Sequence, residues 1–228
     1  VLALVPVILM TEAPYADTQN SRRSVRDTVV GHFRTCYEIL RSDRRILKLI
    51  IYYSVLFASE TLLFFYSQQY YYDLGYNKIQ ISLILLVMGG VSCIGAVLSG
   101  RLYAILGNKT ASIGACVIAA VFLVYGFQNL FVLIIAFAVA GFFNAALYPI
   151  QSEQLNSLIP SGQRATLISV NSMFFSIAMI LLFPLAGILA DRWGLVRVLV
   201  GIGGMLIAFL VLWQYFIRTC RLSKLWDK

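Results

Sequence analysis

Apolar residues fall along this chain in long uninterrupted blocks separated by short polar gaps. Six blocks are long enough to cross a hydrocarbon layer of roughly 30 Å, which takes about 20 helical residues. They run from about 47 to 66, 81 to 106, 110 to 127, 130 to 150, 167 to 190 and 195 to 217. None shows the in-out alternation over about ten residues of a membrane β-barrel strand. Backbone polar groups in hydrocarbon must be satisfied within their own segment, so each block predicts a helix. The expected fold is an all-α membrane protein of six transmembrane helices. Connections are short except for residues 151–163.

The blocks contain an internal echo. Gly187-Ile-Leu-Ala-Asp191-Arg192-Trp-Gly194 closes the fifth block, and a worn copy, Gly100-Arg-Leu-Tyr-Ala-Ile-Leu-Gly107, closes the second. An offset of 87 residues relates the two and also matches Leu102 to Leu189 and Gly114 to Gly201. The chain therefore divides into two triplets. Three is odd, so the second triplet is inverted relative to the first. A 3+3 inverted repeat is the plan of many secondary transporters.

Composition agrees with this pattern: 60% of the residues are hydrophobic and 12% charged. A soluble domain is closer to 45–50% apolar and about 25% charged. The net charge of +8 does not point to nucleic acid, because the basic residues flank apolar spans, as membrane insertion requires. Cys36, Cys93, Cys116 and Cys220 have no short paired spacing. They read as small filler, with no metal site or disulfide framework.

Residues 1–16 open with an apolar stretch that lacks the basic leader of a signal peptide. They read as the end of a preceding transmembrane helix, and the chain as part of a longer protein. Residues 17–47 form a basic linker. Val25, Val29, Phe33 and Leu40 recur there at helical spacing with arginines between them, as in an amphipathic helix on a membrane face or a solvated linker helix. His32, the only histidine, reads as a surface side chain. Residues 48–219 make the six-helix bundle and 220–228 a tail.

Placing the linker inside puts only Lys78, Arg192 and Arg197 of the 18 Lys and Arg residues outside. That asymmetry predicts a cytoplasmic linker and C-terminus.

With spans, repeat and orientation in place, the sequence resembles the C-terminal half of the major facilitator superfamily. The signature is Gly-x-x-x-Asp-Arg/Lys-x-Gly-x-Arg/Lys after the second helix of a triplet. Gly187, Asp191, Arg192 and Gly194 fit its first part. Gly100, Gly107 and Lys109 fit the other copy, where Ala104 and Ile105 replace the charged pair. Asn156-Ser-Leu-Ile-Pro160-Ser-Gly-Gln-Arg164-Ala-Thr166 resembles the loop before the eleventh helix of bacterial members. The resemblance implies helices seven to twelve, the central cytoplasmic loop, and a missing N-terminal six-helix half as partner. It also implies a bacterial-type inner membrane and a central cavity lined by the helices matching the first and fourth spans.

Few residues could carry chemistry. Glu60 lies inside the first span, and a carboxylate there is expensive unless it meets a cavity or a partner. Low polarity favours the neutral acid, which suits a site that loads and releases a proton. A structural hydrogen-bond hub is the competing reading. Ser67 and Tyr71 share the face of Glu60, and Gln68 lies close to it. Tyr70, Tyr71 and Tyr72 also fit an interfacial aromatic belt. Asn144 and Tyr148 stack on one face of the fourth span, and Ser169, Asn171, Ser172 and Ser176 form a polar strip on the fifth. Substrate contact competes there with helix–helix bonding.

No enzyme or phosphate-loop motif occurs, and no cofactor or metal is expected. The sequence thus predicts a secondary transporter that moves a small molecule by alternating access, with proton-coupled export as the first reading. Uptake of a neutral solute such as a sugar is the rival, and a non-transporting scaffold or truncated product the third.

Overall fold

The computed structural model describes residues 44–159 and 164–219. The expected helix stub at 1–16, nearly all of the linker with His32 and Cys36, Pro160, and the tail with Cys220 lie outside the described residues. Six helices follow one another: α1 (Arg44–Asp73), α2 (Lys78–Leu106), α3 (Lys109–Val124), α4 (Leu130–Ser157), α5 (Arg164–Trp193) and α6 (Leu195–Thr219). A 3-10 turn, Tyr125–Phe127, extends α3. All six are long and apolar enough to cross a membrane, and the fold is the all-α bundle expected.

Two boundaries differ from the hydropathy pattern by a further two turns. The first helix continues past residue 66 to Asp73, and the fourth continues past 150 to Ser157. Apolar composition marks only the part of a helix in hydrocarbon; polar residues prolong it beyond. Gln69 donates to Asp73 at 2.7 Å, and Ser157 donates to the Gln154 carbonyl at 2.9 Å. Residues 151–157, expected in a loop, are therefore helical. The starts of α2 and α4 are set by Asn77 and Asn129, whose side chains accept from Gln80 and Val132 backbone N–H groups.

The repeat survives in the backbone. α2 begins at 78 and α5 at 164; α2 ends at 106 and α5 at 193, so the 87-residue offset holds within a residue. Gly107 and Gly194 both have positive φ, +55° and +86°. Their N–H groups bond to the carbonyls of Tyr103 at 2.7 Å and Ala190 at 2.9 Å, again 87 apart. Each repeat glycine closes its helix in a conformation that side chains disfavour.

Packing crosses between the triplets. α2 lies mainly on α4, α1 mainly on α5, and α3 on both α4 and α6, while helices adjacent within the first triplet touch little. Exchanging each helix for its counterpart three further on maps α2–α4 onto α5–α1 and leaves α3–α6 in place, as the repeat predicts, while α3–α4 has only a slight counterpart in α6–α1. The α2–α4 seam is close. A Cβ on Gly95 would strike the Phe142 backbone, and one on Gly141 would meet Met88 and Ser92 at 2.7 Å. Small residues let membrane helices approach in this way.

The core is centred on α1, which buries two thirds of its apolar stretch, against almost none of α5 and little of α2. Tyrosines tie α1 to its neighbours. Tyr52 donates to the Ala111 carbonyl on α3 at 3.2 Å, Tyr53 to Gln154 Oε1 on α4 at 2.9 Å, and Tyr66 to the Phe183 carbonyl on α5 at 3.3 Å. Tyr70 and Tyr71 are buried and belong to this core; only Tyr72 is exposed, as a belt residue would be. Cys93 and Cys116 are free and exposed, so they face outward and do not fill the interior.

Candidate substrate cleft

Three helices build a cleft of about 130 Å³ on one side of the bundle. α1 contributes Ser54, Phe57 and Thr61, spaced three and seven residues apart and so on one stripe. α4 contributes Asn144, Tyr148 and Gln151 at the same kind of spacing, and α5 contributes Asn171, Ser172 and Phe175. The aromatic wall is Phe57 stacked on Tyr148, with ring centroids 5.3 Å apart and planes 26° from parallel. Gln151 Nε2 donates to Asn171 Oδ1 at 2.9 Å and joins α4 to α5 at the cleft. No side chain lining the cleft carries a charge.

Four of the residues read from the sequence, Asn144, Tyr148, Asn171 and Ser172, meet here. Four others lie elsewhere on α1. Glu60, 4% exposed, is not among the cleft residues. It sits on a stripe with Tyr53, Ser67 and Tyr71, roughly a quarter turn from the cleft stripe at 100° per residue. That stripe faces α3 and α4. Tyr53 bonds Gln154, Tyr71 packs its ring against Phe137, and the Ser67 hydroxyl accepts from Tyr125 while donating to the Leu63 carbonyl. Glu60 Oε1 and the Tyr71 hydroxyl are buried there without a hydrogen-bond partner. Gln68 is half-buried and donates to the Phe64 carbonyl at 3.1 Å.

The repeat-motif residues lie away from the cleft. Gly107 and Gly194 close α2 and α5. Gly100 has open space where a side chain would stand, while Gly187 faces the Tyr66 hydroxyl. Lys109, Asp191 and Arg192 are exposed.

Sequence reasoning missed Ser54, Thr61 and Gln151 as members of one site. Gln151 follows Asn144 and Tyr148 at helical spacing, but ending the fourth helix at 150 hid it. Ser54 and Thr61 were legible as a stripe with Phe57 only once the cleft-facing side of α1 was known. Among the described residues, no group of acidic, His and Cys side chains could hold a metal ion.

The profile of the Major Facilitator Superfamily matches the chain over residues 1–124 and again over 49–223. The chain belongs to that superfamily, a family of membrane transporters, and is an integral multi-pass membrane protein. No curated protein and no solved structure matches it significantly.

Proposed function

We propose that this chain is the C-terminal six-helix half of a secondary transporter, with its linker and C-terminus cytoplasmic. The α1–α4–α5 cleft is its share of the substrate site, and Glu60 is the proton site. One observation carries this reading: convergent polar and aromatic groups form an uncharged cleft beside a helix whose adjacent face holds a buried, unpartnered carboxyl oxygen. Such a carboxyl in a membrane interior marks a functional position. Proton exchange would drive alternating access, with the second half closing the cavity from the opposite side. Export is the first reading. The absence of charge in the cleft also supports the second, uptake of a neutral solute.

The test is proton-linked transport in proteoliposomes by the full-length protein carrying this sequence, with Glu60 and with Glu60→Gln. Neutral sugars and lipophilic cations are the probes. Solute movement that dissipates an imposed pH gradient in the wild type, and loses that coupling in Glu60→Gln, supports the reading. Unchanged coupling in Glu60→Gln makes Glu60 structural. No movement of any probe in either protein favours a non-transporting scaffold.

A further inference from the structure

α1 carries four hydroxyl side chains other than tyrosine: Ser54, Ser59, Thr61 and Ser67. Ser59, Thr61 and Ser67 each donate to the carbonyl four residues back, at 2.8, 2.8 and 2.6 Å. That is how a hydroxyl is satisfied inside a membrane helix. Ser54 does not follow them. It is 3% exposed, and its Oγ has no partner. Asn144 Oδ1, across the cleft on α4, is likewise buried and unpartnered. Both residues line the same cleft. A buried polar atom without a hydrogen bond is costly, and two converging on one space are answered by a molecule that enters it.

The chemistry of the pair selects that molecule. An amide offers an acceptor oxygen beside a donor nitrogen, and a serine hydroxyl is both donor and acceptor. A ligand hydroxyl can donate to Asn144 Oδ1, and it can donate to or accept from the Ser54 hydroxyl. A carboxylate cannot donate to Asn144 Oδ1, and an ammonium finds no counter-charge among the cleft residues. The Phe57–Tyr148 wall, whose Tyr148 is 63% exposed, offers a flat apolar surface to the rest of the molecule. Neither orphan atom is open to water as the cleft stands, so the walls part as the hydroxyl enters. We infer that the cleft recognises an uncharged, hydroxyl-bearing solute with a flat apolar face, held by Asn144 and Ser54 and stacked on Phe57 and Tyr148. This rests on the reading of the cleft as a substrate site.

The test is equilibrium binding to the full-length protein in detergent. The probes are aryl hexosides, their singly deoxygenated analogues, and tetraphenylphosphonium as a flat cation without hydroxyls. Wild type is expected to bind an aryl hexoside and to lose about tenfold in affinity when the recognised hydroxyl is removed. Ser54→Ala or Asn144→Ala loses a similar factor for the full hexoside and no longer distinguishes the deoxy analogue. The analogue series on wild type needs no variant, so a misfolded Asn144→Ala leaves the inference testable. Equal binding of every deoxy analogue, or binding of tetraphenylphosphonium alone, overturns hydroxyl recognition; weakening by Tyr148→Ala then keeps the cleft a substrate site. If no probe binds, the cleft reading falls and the inference with it.

Discussion

The two sides of α1 each bury polar groups, yet they do so in opposite ways. One side, with Tyr53, Glu60, Ser67 and Tyr71, is sealed against α3 and α4 by side-chain bonds and ring contacts. The other, with Ser54, Phe57 and Thr61, borders a cleft. Both hold orphan atoms: Glu60 Oε1 and the Tyr71 hydroxyl on the sealed side, Ser54 Oγ on the open one. An orphan in a sealed seam can be relieved only by a proton, a water or a helix movement. One beside a cleft can be relieved by a solute. On the proposed reading, the same helix would carry the proton site and the solute site a quarter turn apart.

The sharpest way to break this comparison is to fill each side. Ser67→Leu, on a fully buried residue, overpacks the seam and strands the Tyr125 hydroxyl. The expected loss is about 2–4 kcal/mol of stability, read as a lowered thermal midpoint in detergent. Ser172→Leu, on the exposed rim of the cleft, should change stability by less than about 0.5 kcal/mol and reduce solute binding. Equal destabilisation by both would mean that the cleft is packed interior.

Tyr148→Ala is the next largest. Removing its stack on Phe57 should weaken binding of an aryl solute by about three- to tenfold, as an aromatic pair worth about 0.5–1.5 kcal/mol predicts. Coupling to protons in the transported fraction should persist, since Glu60 lies on the other face. Loss of coupling would show that the two sides are not separable.

A modest effect is expected at Gln151→Ala. Breaking its bond to Asn171 costs about 1 kcal/mol of stability, measurable by thermal unfolding. A much larger loss would make the α4–α5 link structural and not part of a cleft that opens.

Much of this fold was legible in the sequence. Helix number, the triplets and the 87-residue offset follow from apolar blocks and recurring glycines. Those signals are written by the membrane and by backbone geometry at Gly107 and Gly194. Helix ends were less legible at Asp73 and Ser157, where polar residues carry a helix past the hydrocarbon. The site was legible only in part. Asn144, Tyr148 and Asn171 stand out because polar groups are rare in apolar spans. Nothing in the order of residues says which side of α1 meets a cleft, because α1 carries polar side chains on more than one of its buried sides. That information lies in helix packing, and it placed Glu60 and Ser54 on different surfaces.

The exchange of partners between triplets also bears on how the chain comes to be assembled. The chief partner of α2 is α4, and that of α1 is α5. When α2 has been synthesised, about fifty residues remain before α4 is complete, roughly 3–10 s at about 5–20 residues per second. α2 waits for that interval before Phe142 on α4 covers Gly95, and α1 waits longer, until Phe183 on α5 reaches Tyr66. Until the late helices arrive, the close-packing face of α2 and the tyrosine face of α1 have no chief partner within this unit.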